Sequence, residues 1–354
     1  MRMKKIMILA VAAIALAACA KTYDKVETAP APIGFNTWTE QLTKVRTQGS
    51  STFASGDDFA VYGYKEVTDP ASKTTVFDDI DVNYDGTNWA YDHVRFWDQA
   101  TDSYTFYAVS PTAVGTAATV TPQTGVIASA SITFAGNDND ILVADEKTVA
   151  KANYGEDVAL VFNHIASLVD FKVKKHSNLG SATLAITSFS LTNMDKTGTF
   201  AVDSYTSTHP DVEWTASAHN GTYTNTSGVT SVATLPTAVG TTGDFLINNL
   251  VAMPQTFRYE NYDADEDPSN DYIQTVSIAY TITDEASNVS TYTASFNLKL
   301  FDDVDDTDNE DTIIGGWEAG KHYTFYITID AQKIVFTASI TPWTPESGYN
   351  YLVK

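Results

Sequence analysis

The sequence predicts an all-β protein built from two tandem antiparallel β-sandwich domains. Apolar and polar residues alternate with a period of two along many short segments, which is typical of strands with one buried face. Helical periodicity does not extend beyond about two turns in any segment. The length of 354 residues fits two domains of about 100–200 residues each.

The predicted strands are rich in Thr, Tyr, Val and Phe, which suit a pleated, half-buried surface. In chain order they are residues 33–38, 59–64, 104–109, 141–143, 158–162, 167–173, 186–191, 245–250, 272–282, 292–300, 322–329 and 334–340. The last two are expected to form a hairpin around residues 330–333. Residues 202–244 are rich in Thr, Ser, Gly and Asn, and predict either long loops or extra hairpins on the second domain.

A polar stretch predicts the domain boundary. Residues 146–156 are polar and include Gly155, and strand-like segments flank them on both sides. We therefore expect an N-terminal β-sandwich at residues 33–157 and a C-terminal one at residues 158–354. The boundary is placed to within about 15 residues.

The N-terminus has the layout of a secretory signal peptide at residues 1–18. A positive segment ends at Lys5, an eleven-residue apolar run covers residues 6–16, and Ala17-Ala18 precede Cys19, which is the only cysteine of the chain. This arrangement is typical of a bacterial lipobox, in which cleavage before the cysteine is followed by lipidation of its thiol. The alternative is an ordinary signal peptide whose cleavage region contains a cysteine. Residues 19–32 are polar and are predicted to tether the lipid to the first strand.

Composition excludes several classes of function. The net charge of −23 should repel phosphate backbones, so we do not expect nucleic-acid binding. A single cysteine excludes a disulfide framework, a CxxC redox site and a multi-cysteine zinc site. The hydrophobic fraction of 43% excludes low-hydrophobicity disorder for most of the chain.

One segment matches the calcium-loop template. Asp81, Asn83 and Asp85 stand at positions 1, 3 and 5, Gly86 at position 6, and Asp92 at position 12. Such a loop needs a helix on each side, whereas both flanks here are strand-like. We therefore favour a β-hairpin that turns on Asp85-Gly86, a pair typical of type I′ turns.

No other pattern predicts a catalytic, cofactor-binding or metal site. Residues 302–311 and 263–267 are acidic runs without ligand spacing, and are predicted to be solvated loops. The six histidines show no metal-ligand spacing, and His164 is expected to be a hydrogen-bonded core or edge residue. The sequence contains no HExxH, GxSxG, GxxxxGK[ST] or GxGxxG motif. We predict a protein that is not an enzyme and binds no cofactor.

The tryptophans have two interpretations. They are suited to stacking on sugar rings at the surface, and equally to core packing within strands. Core packing is favoured for most of them because they lie in strand-like patterns. They are Trp38, Trp89, Trp97, Trp214, Trp317 and Trp343.

An ordered series of motifs resembles the fimbrillin-like (Mfa-like) lipoproteins, the type V pilins. The most specific piece is the stretch 162–173, with Phe162, His164, Ala166, Phe171 and Val173. It departs from the family where residues 167–170 lack the expected basic residue. The other pieces are residues 33–35, 56–64, 82–89, 96–97, 104–111, 140–144, 317–323 and 340–343.

This resemblance implies transthyretin-like sandwiches and a structural role. It implies a stalk, anchor or tip subunit of a cell-surface fimbria, exported as an outer-membrane lipoprotein through lipid on Cys19. The implied partners are other fimbrial subunits, joined by β-strand exchange, and a surface ligand for adhesion. The alternative is a surface glycan-binding lipoprotein that uses exposed tryptophans.

The resemblance also implies proteolytic maturation between Arg46 and Thr47. Arg46 lies in a polar stretch beside Gly49-Ser50-Ser51, the kind of exposed tip that proteases cut. A cut there removes residues 19–46, and with them the lipid and the first strand. The alternating tail, residues 349–354, is a candidate to fill a neighbour's groove, and its shortness favours a tip or terminal role. The alternative is that Arg46 is an ordinary exposed loop residue.

Overall fold

A computed structural model describes residues 30–38, 53–136, 140–224, 244–258, 272–300, 302–303, 312–330 and 334–343. Their regular secondary structure is almost entirely β, as predicted. Within them, the one α-helix is α1 (Thr112–Ala117), and the 3₁₀ turns are Lys151–Asn153, Ser177–Leu179 and Leu298–Leu300.

The strands fall into five sheets. The first eleven are β1 (Phe35–Trp38), β2 (Asp58–Thr68), β3 (Ala71–Tyr84), β4 (Trp89–Ala90), β5 (Ser103–Ser110), β6 (Thr119–Val120), β7 (Ile127–Ala128), β8 (Ile132–Thr133), β9 (Leu142–Ala144), β10 (Lys147–Ala150) and β11 (Val158–His164). The others are β12 (Ser167–Lys175), β13 (Thr183–Met194), β14 (Thr197–Thr206), β15 (His209–Ala218), β16 (Gly221–Thr224), β17 (Asp244–Ala252), β18 (Gln255–Thr256), β19 (Thr275–Thr283), β20 (Val289–Asn297), β21 (Asp302–Asp303), β22 (Thr312–Ile313), β23 (Gly316–Trp317), β24 (Lys321–Ile329) and β25 (Ile334–Pro342).

The first sheet curls around its own core. Its eight strands have the order β1-β11-β9-β5-β2-β3-β4, with β10 also paired to β5. The core contains Phe59 and Val61 from β2, Phe77 from β3, and Phe106 from β5, all fully buried. These side chains are spaced by two along their strands or lie on neighbouring strands, so they share one face of the sheet.

The C-terminal half forms a second sandwich. A six-stranded sheet, β17-β12-β24-β25-β21-β22, packs against a four-stranded sheet, β16-β13-β19-β20. Their shared core includes Phe171 and Phe325, whose rings stack with centroids 4.6 Å apart. Phe189 and Ile278 enter this core from the four-stranded sheet.

A third core joins the two halves. The five-stranded sheet β15-β14-β7-β6, with β8 also paired to β14, combines short strands of the first half with a hairpin of the second. Its core includes Ile127 and Phe134 from the first half, and Phe200, Val251 and Trp343 from the second. The described part of residues 202–244 therefore contains an extra hairpin, β14–β15, that packs on the first half of the chain.

Each predicted strand overlaps an observed one, but the domain boundary stays a prediction. β11 begins at Val158, the first residue of the expected C-terminal domain, yet it pairs with β1 and β9 in the first sheet. β12 begins at Ser167 and pairs with strands of the second sandwich. We therefore propose that the boundary lies between His164 and Ser167, which is within the expected margin.

Candidate assembly groove

The segment 31–38 lies between two walls of backbone. On one side, β1 pairs in parallel with β11, and the Val158 N–H donates to the Gly34 carbonyl at 2.8 Å. On the other side, the Ile33 N–H donates to the Arg95 carbonyl at 2.8 Å, and the Trp97 N–H donates to the Ala31 carbonyl at 3.0 Å. The segment therefore closes the curled sheet, since the residues that follow β4 bond to one of its edges and β11 to the other.

Two side chains fasten this segment to the first core. Ile33 and Phe35 are 1% and 5% exposed. The Phe35 ring makes edge-to-face contacts with Phe77, at a centroid distance of 5.5 Å, and with Phe106, at 5.8 Å. Full burial of one such side chain stabilises a fold by about 1.5–3 kcal/mol. Loss of the segment would expose a hydrophobic groove with unpaired backbone groups along both walls.

A tyrosine hydroxyl adds a contact that the sequence did not indicate. The Tyr91 Oη donates to the Ile33 carbonyl at 2.8 Å and accepts from the Arg95 N–H at 3.2 Å. A phenol is protonated at neutral pH and can therefore act as this donor, and burial raises the pKa of Tyr91 further. The sequence pattern does not mark Tyr91 for this contact. β4 is only two residues long, so alternation in the 89–97 region does not single out this residue.

The residues predicted for lipidation and maturation lie outside the described ranges. They are Cys19, Arg46 and Thr47, and the same holds for the tail at residues 349–354. The described chain stops at Trp38 and resumes at Phe53. The lipidation site and the cleavage site therefore stay predictions.

The calcium-loop match is a hairpin, as favoured. β3 and β4 pair antiparallel through Asn83–Ala90 and Tyr84–Trp89. The Asp85 carboxylate accepts hydrogen bonds at 2.7 Å from the amides of Thr87 and Asn88, and these bonds lower its pKa. The connection has four residues, so the expected two-residue type I′ turn is wrong, although Gly86 has a φ of +98°.

Among the described residues, no group of three or more His, Cys, Asp or Glu side chains is arranged to hold a metal ion. Five of the six histidines each pair with a single carboxylate instead. His164 on β11 is bonded to Asp140 at 3.0 Å and stacks on Trp343 with ring centroids 4.1 Å apart, which confirms a hydrogen-bonded core histidine. The acidic run 263–267 and most of the run 302–311 lie outside the described residues.

A cleft of about 680 Å³ opens beside this stack. Its walls include Asp203, His209, Asp211 and Glu213 from the β14–β15 hairpin. The Asp211 carboxylate is already engaged by the hydroxyls of Ser204, at 2.5 Å, and Thr206, at 2.7 Å. The Asp211 carboxylate therefore stabilises the hairpin itself.

The tryptophan side chains that the structure describes are packed inside the protein rather than exposed at its surface. Trp97, Trp317 and Trp343 are buried, and Trp89 and Trp214 are partly buried against other aromatic rings. The side chain of Trp38 lies outside the description. None of the tryptophan side chains that the structure describes is exposed as a sugar-stacking platform would require.

Comparison with known proteins gives the family. The model of the fimbrillin-like family matches residues 43–343, which is most of the chain, and the chain therefore belongs to that family. Membership indicates a structural role as a fimbrial subunit. No curated protein matches the sequence. No described helix is long and apolar enough to cross a bilayer.

A solved structure of a fimbrial protein shares the fold. A fimbrial protein from Bacteroides vulgatus superposes with a TM-score of 0.57 at 16% identity, covering 88% of this chain and 99% of that one. Provisionally named cell adhesion proteins from Bacteroides uniformis and Parabacteroides distasonis give TM-scores of 0.47 and 0.48. The uniformis protein is 14% identical over 88% of this chain and 99% of its own, and the distasonis protein 12% over 91% and 99%.

Proposed function

We propose that this chain is an outer-membrane lipoprotein, displayed at the cell surface and built into a fimbria by β-strand exchange. The lipid is carried by Cys19. Proteolysis between Arg46 and Thr47 removes residues 19–46, and a strand from a neighbouring subunit then replaces the lost segment. The assembled fimbria serves adhesion.

One observation carries this proposal. The segment 31–38 bonds to backbone on both sides and buries Ile33 and Phe35, yet it precedes the rest of the fold in the chain. A single cut between Trp38 and Phe53 therefore detaches β1 without breaking any other strand that the structure describes. The groove left behind presents the hydrogen-bonding edges and the hydrophobic sites that an incoming strand needs. Residues 349–354 alternate as such a strand should, and are the proposed donor.

The test of maturation is the N-terminus of the assembled protein. Fimbriae sheared from cells should yield a chain that begins at Thr47. Arg46→Ala should remain lipid-bound and unpolymerised, whereas Lys44→Ala, a basic residue two positions away, should assemble normally. Fimbriae whose subunits of this chain still begin at Cys19 would overturn strand exchange by removal of the first strand.

The test of lipidation is separate. Mass spectrometry of membrane-extracted Arg46→Ala protein should show a diacylated or triacylated Cys19, because one acyl chain anchors only marginally. Cys19→Ser should leave an unprocessed precursor or release the protein from membranes. An unmodified Cys19 at the mature N-terminus would contradict the lipoprotein assignment.

A further inference from the structure

The edge strands of this fold differ sharply in how they are protected against pairing. An exposed sheet edge offers unpaired N–H and C=O groups to other chains, and natural edges are kept short, bulged, charged or interrupted by proline. β1, β4, β6, β16 and β22 have two to four residues each. Three strands that stand last in their sheets are longer, with nine or ten residues each: β15, β17 and β20.

Two of the long edges carry protective features. β15 contains Pro210, Asp211 and Glu213, and its pairing with β14 shifts register twice. β17 begins at Asp244, and its pairing with β12 shifts register around Phe171. Both strands thus interrupt the flat, uniform ladder that a second chain would need.

β20 carries none of these features. Its sequence, VSTYTASFN, has no charged residue, no proline and no glycine. All nine residues pair with β19 in continuous register from Thr275–Asn297 to Thr283–Val289. β19 is likewise uncharged along its whole length. No described strand pairs with the other edge of β20.

The exposed surface of β20 is also apolar in places. Val289 is 61% exposed and Tyr292 is 44% exposed, which puts both among the few large apolar side chains at the surface of the described chain. Tyr292 lies on the core-facing side of the strand, with Ala294 and Phe296, and stacks on Tyr280 at a centroid distance of 5.2 Å. The described residues therefore leave the second core open at this corner.

We propose that β20 pairs antiparallel with β20 of a second copy of this chain, which joins the two four-stranded sheets across a twofold axis. The charge distribution identifies the occupant. The chain has a net charge of −23, so two copies repel each other at most orientations. The β19–β20 surface carries no charge, and copies that meet there avoid placing like charges opposite each other.

The acidic turn before β20 favours the antiparallel direction. This turn contains Asp284 and Glu285. A parallel arrangement would bring the two acidic turns together, whereas an antiparallel one places them at opposite ends of the shared edge. The twofold axis also closes the assembly at two copies, because each contributes the same edge. This pairing does not use the groove, so it is independent of strand exchange.

The first test is the mass of the uncut chain in solution. All proteins carry Cys19→Ser and Arg46→Ala, so that lipid and removal of the first strand play no part. By sedimentation, the reference protein should change from the mass of one chain to that of two as its concentration rises. Thr293→Lys, at the middle of β20, should hold the mass of one chain, because like charges then face each other across the axis.

Thr215→Lys is the matched control, since Thr215 is an exposed threonine on the protected edge β15. It should dimerise like the reference protein. A reference protein that stays monomeric at every concentration would overturn the proposal. So would a dimer that Thr293→Lys leaves intact.

The second test locates the axis. Single cysteines at Thr291, Thr293 and Ser295 are oxidised in the same background, with Thr215→Cys as control. In an antiparallel pair only the residue at the axis faces its own copy, so one position should give a covalent dimer and its neighbours much less. Equal cross-linking at all positions, including Thr215→Cys, would indicate random collision and contradict a twofold pairing. Neither test depends on cleavage, so a failure here leaves the proposed function untouched.

Discussion

Phe35 is the residue that holds the first strand in the core. Its ring lies among Phe59, Phe77, Tyr91 and Phe106, with centroid distances of 5.5–6.0 Å. Edge-to-face contacts of this kind add to the burial of the ring itself. The strand is short, so much of its attachment depends on this one side chain.

We expect Phe35→Ala to lower the free energy of unfolding by about 3 kcal/mol, the usual cost of truncating a buried phenylalanine. Urea denaturation of the uncut chain measures it. Phe96→Ala is the matched control, because Phe96 is 52% exposed and its loss should change stability by less than about 0.5 kcal/mol. Equal effects of the two substitutions would mean that the first strand is not held by its side chain.

Lys174 gives the second prediction at this scale. Burial on β12 lowers the pKa of its ammonium group from 10.5 to about 8, and repulsion from Lys172 contributes. Between those two pH values the unfolded chain binds more protons than the folded one, so this residue makes stability rise with pH. Below pH 8 both states are protonated, and the fold bears the cost of the buried charge.

Lys174→Met should therefore stabilise the protein at pH 7 and lose most of that advantage by pH 10. We expect the gain to fall by about 1–2 kcal/mol over that range, after allowance for solvent near the charge. Denaturation of both proteins at each pH measures the difference. Lys147→Met on β10 serves as the control for removal of one positive charge, and a pH-independent gain from Lys174→Met would contradict the assignment.

Among the elements, the β3–β4 hairpin has a sequence that also fits a metal loop. The Asp85 carboxylate already accepts two amide hydrogen bonds within the turn. A dedicated calcium site would stabilise the fold by about 2.7 kcal/mol at a concentration of 100 Kd. We therefore expect calcium to produce no increase in the melting temperature of the native chain that is lost in Asp85→Asn. Such a change, seen in the native chain and absent from the variant, would restore the calcium-loop interpretation.

The local sequence pattern predicted which segments form strands better than it predicted which strands pair with each other. β12 and β24 alternate clearly, and both were expected. Of β3, only the end beside the turn was expected, because Asp78, Asp79 and Asp81 interrupt its apolar positions and only Phe77 and Val82 are fully buried. The hairpin β14–β15 has mostly small or polar residues and is held by contacts with β7 and β8, some 70 residues earlier in the chain.

The groove illustrates the same limit. Periodicity predicted a first strand at residues 33–38, but its second wall at residues 95–97 lies about 60 residues away and forms no strand with its sequence neighbours. The sheet closes through tertiary packing of aromatic rings, and the periodicity of a single segment does not predict such packing. The motif series suggested the family, whereas only the fold shows which backbone groups the first segment satisfies.

At the scale of the whole molecule, the third core couples the two halves. Trp343 stands at the end of the described chain, yet its ring stacks on His164 of the first sheet. Its backbone N–H donates to the Gly320 carbonyl at 2.8 Å. Ile141 and Val143 from the first half share this core with Val251 and Met253 from the second. A protein joined in this way should unfold as one unit.

Calorimetry of the native chain should therefore show a single transition. Trp343→Ala removes a buried ring at a cost of about 3–5 kcal/mol, and we expect two separate transitions in its place. Phe245→Ala, which truncates a ring 42% exposed on β17, should keep one transition. Two transitions in the native chain would show that the halves fold independently.

The burial of Ile33 also limits the distance between the folded protein and the lipid. If Cys19 is held in the membrane, the fourteen residues from it to Ile33 span at most about 50 Å when fully extended. An uncut copy is thus confined to a layer about one domain deep above the lipid, where it can serve as the base of a fibre. A copy freed of residues 19–46 has no such limit. The distance of each subunit from the cell would then be decided by a single peptide bond.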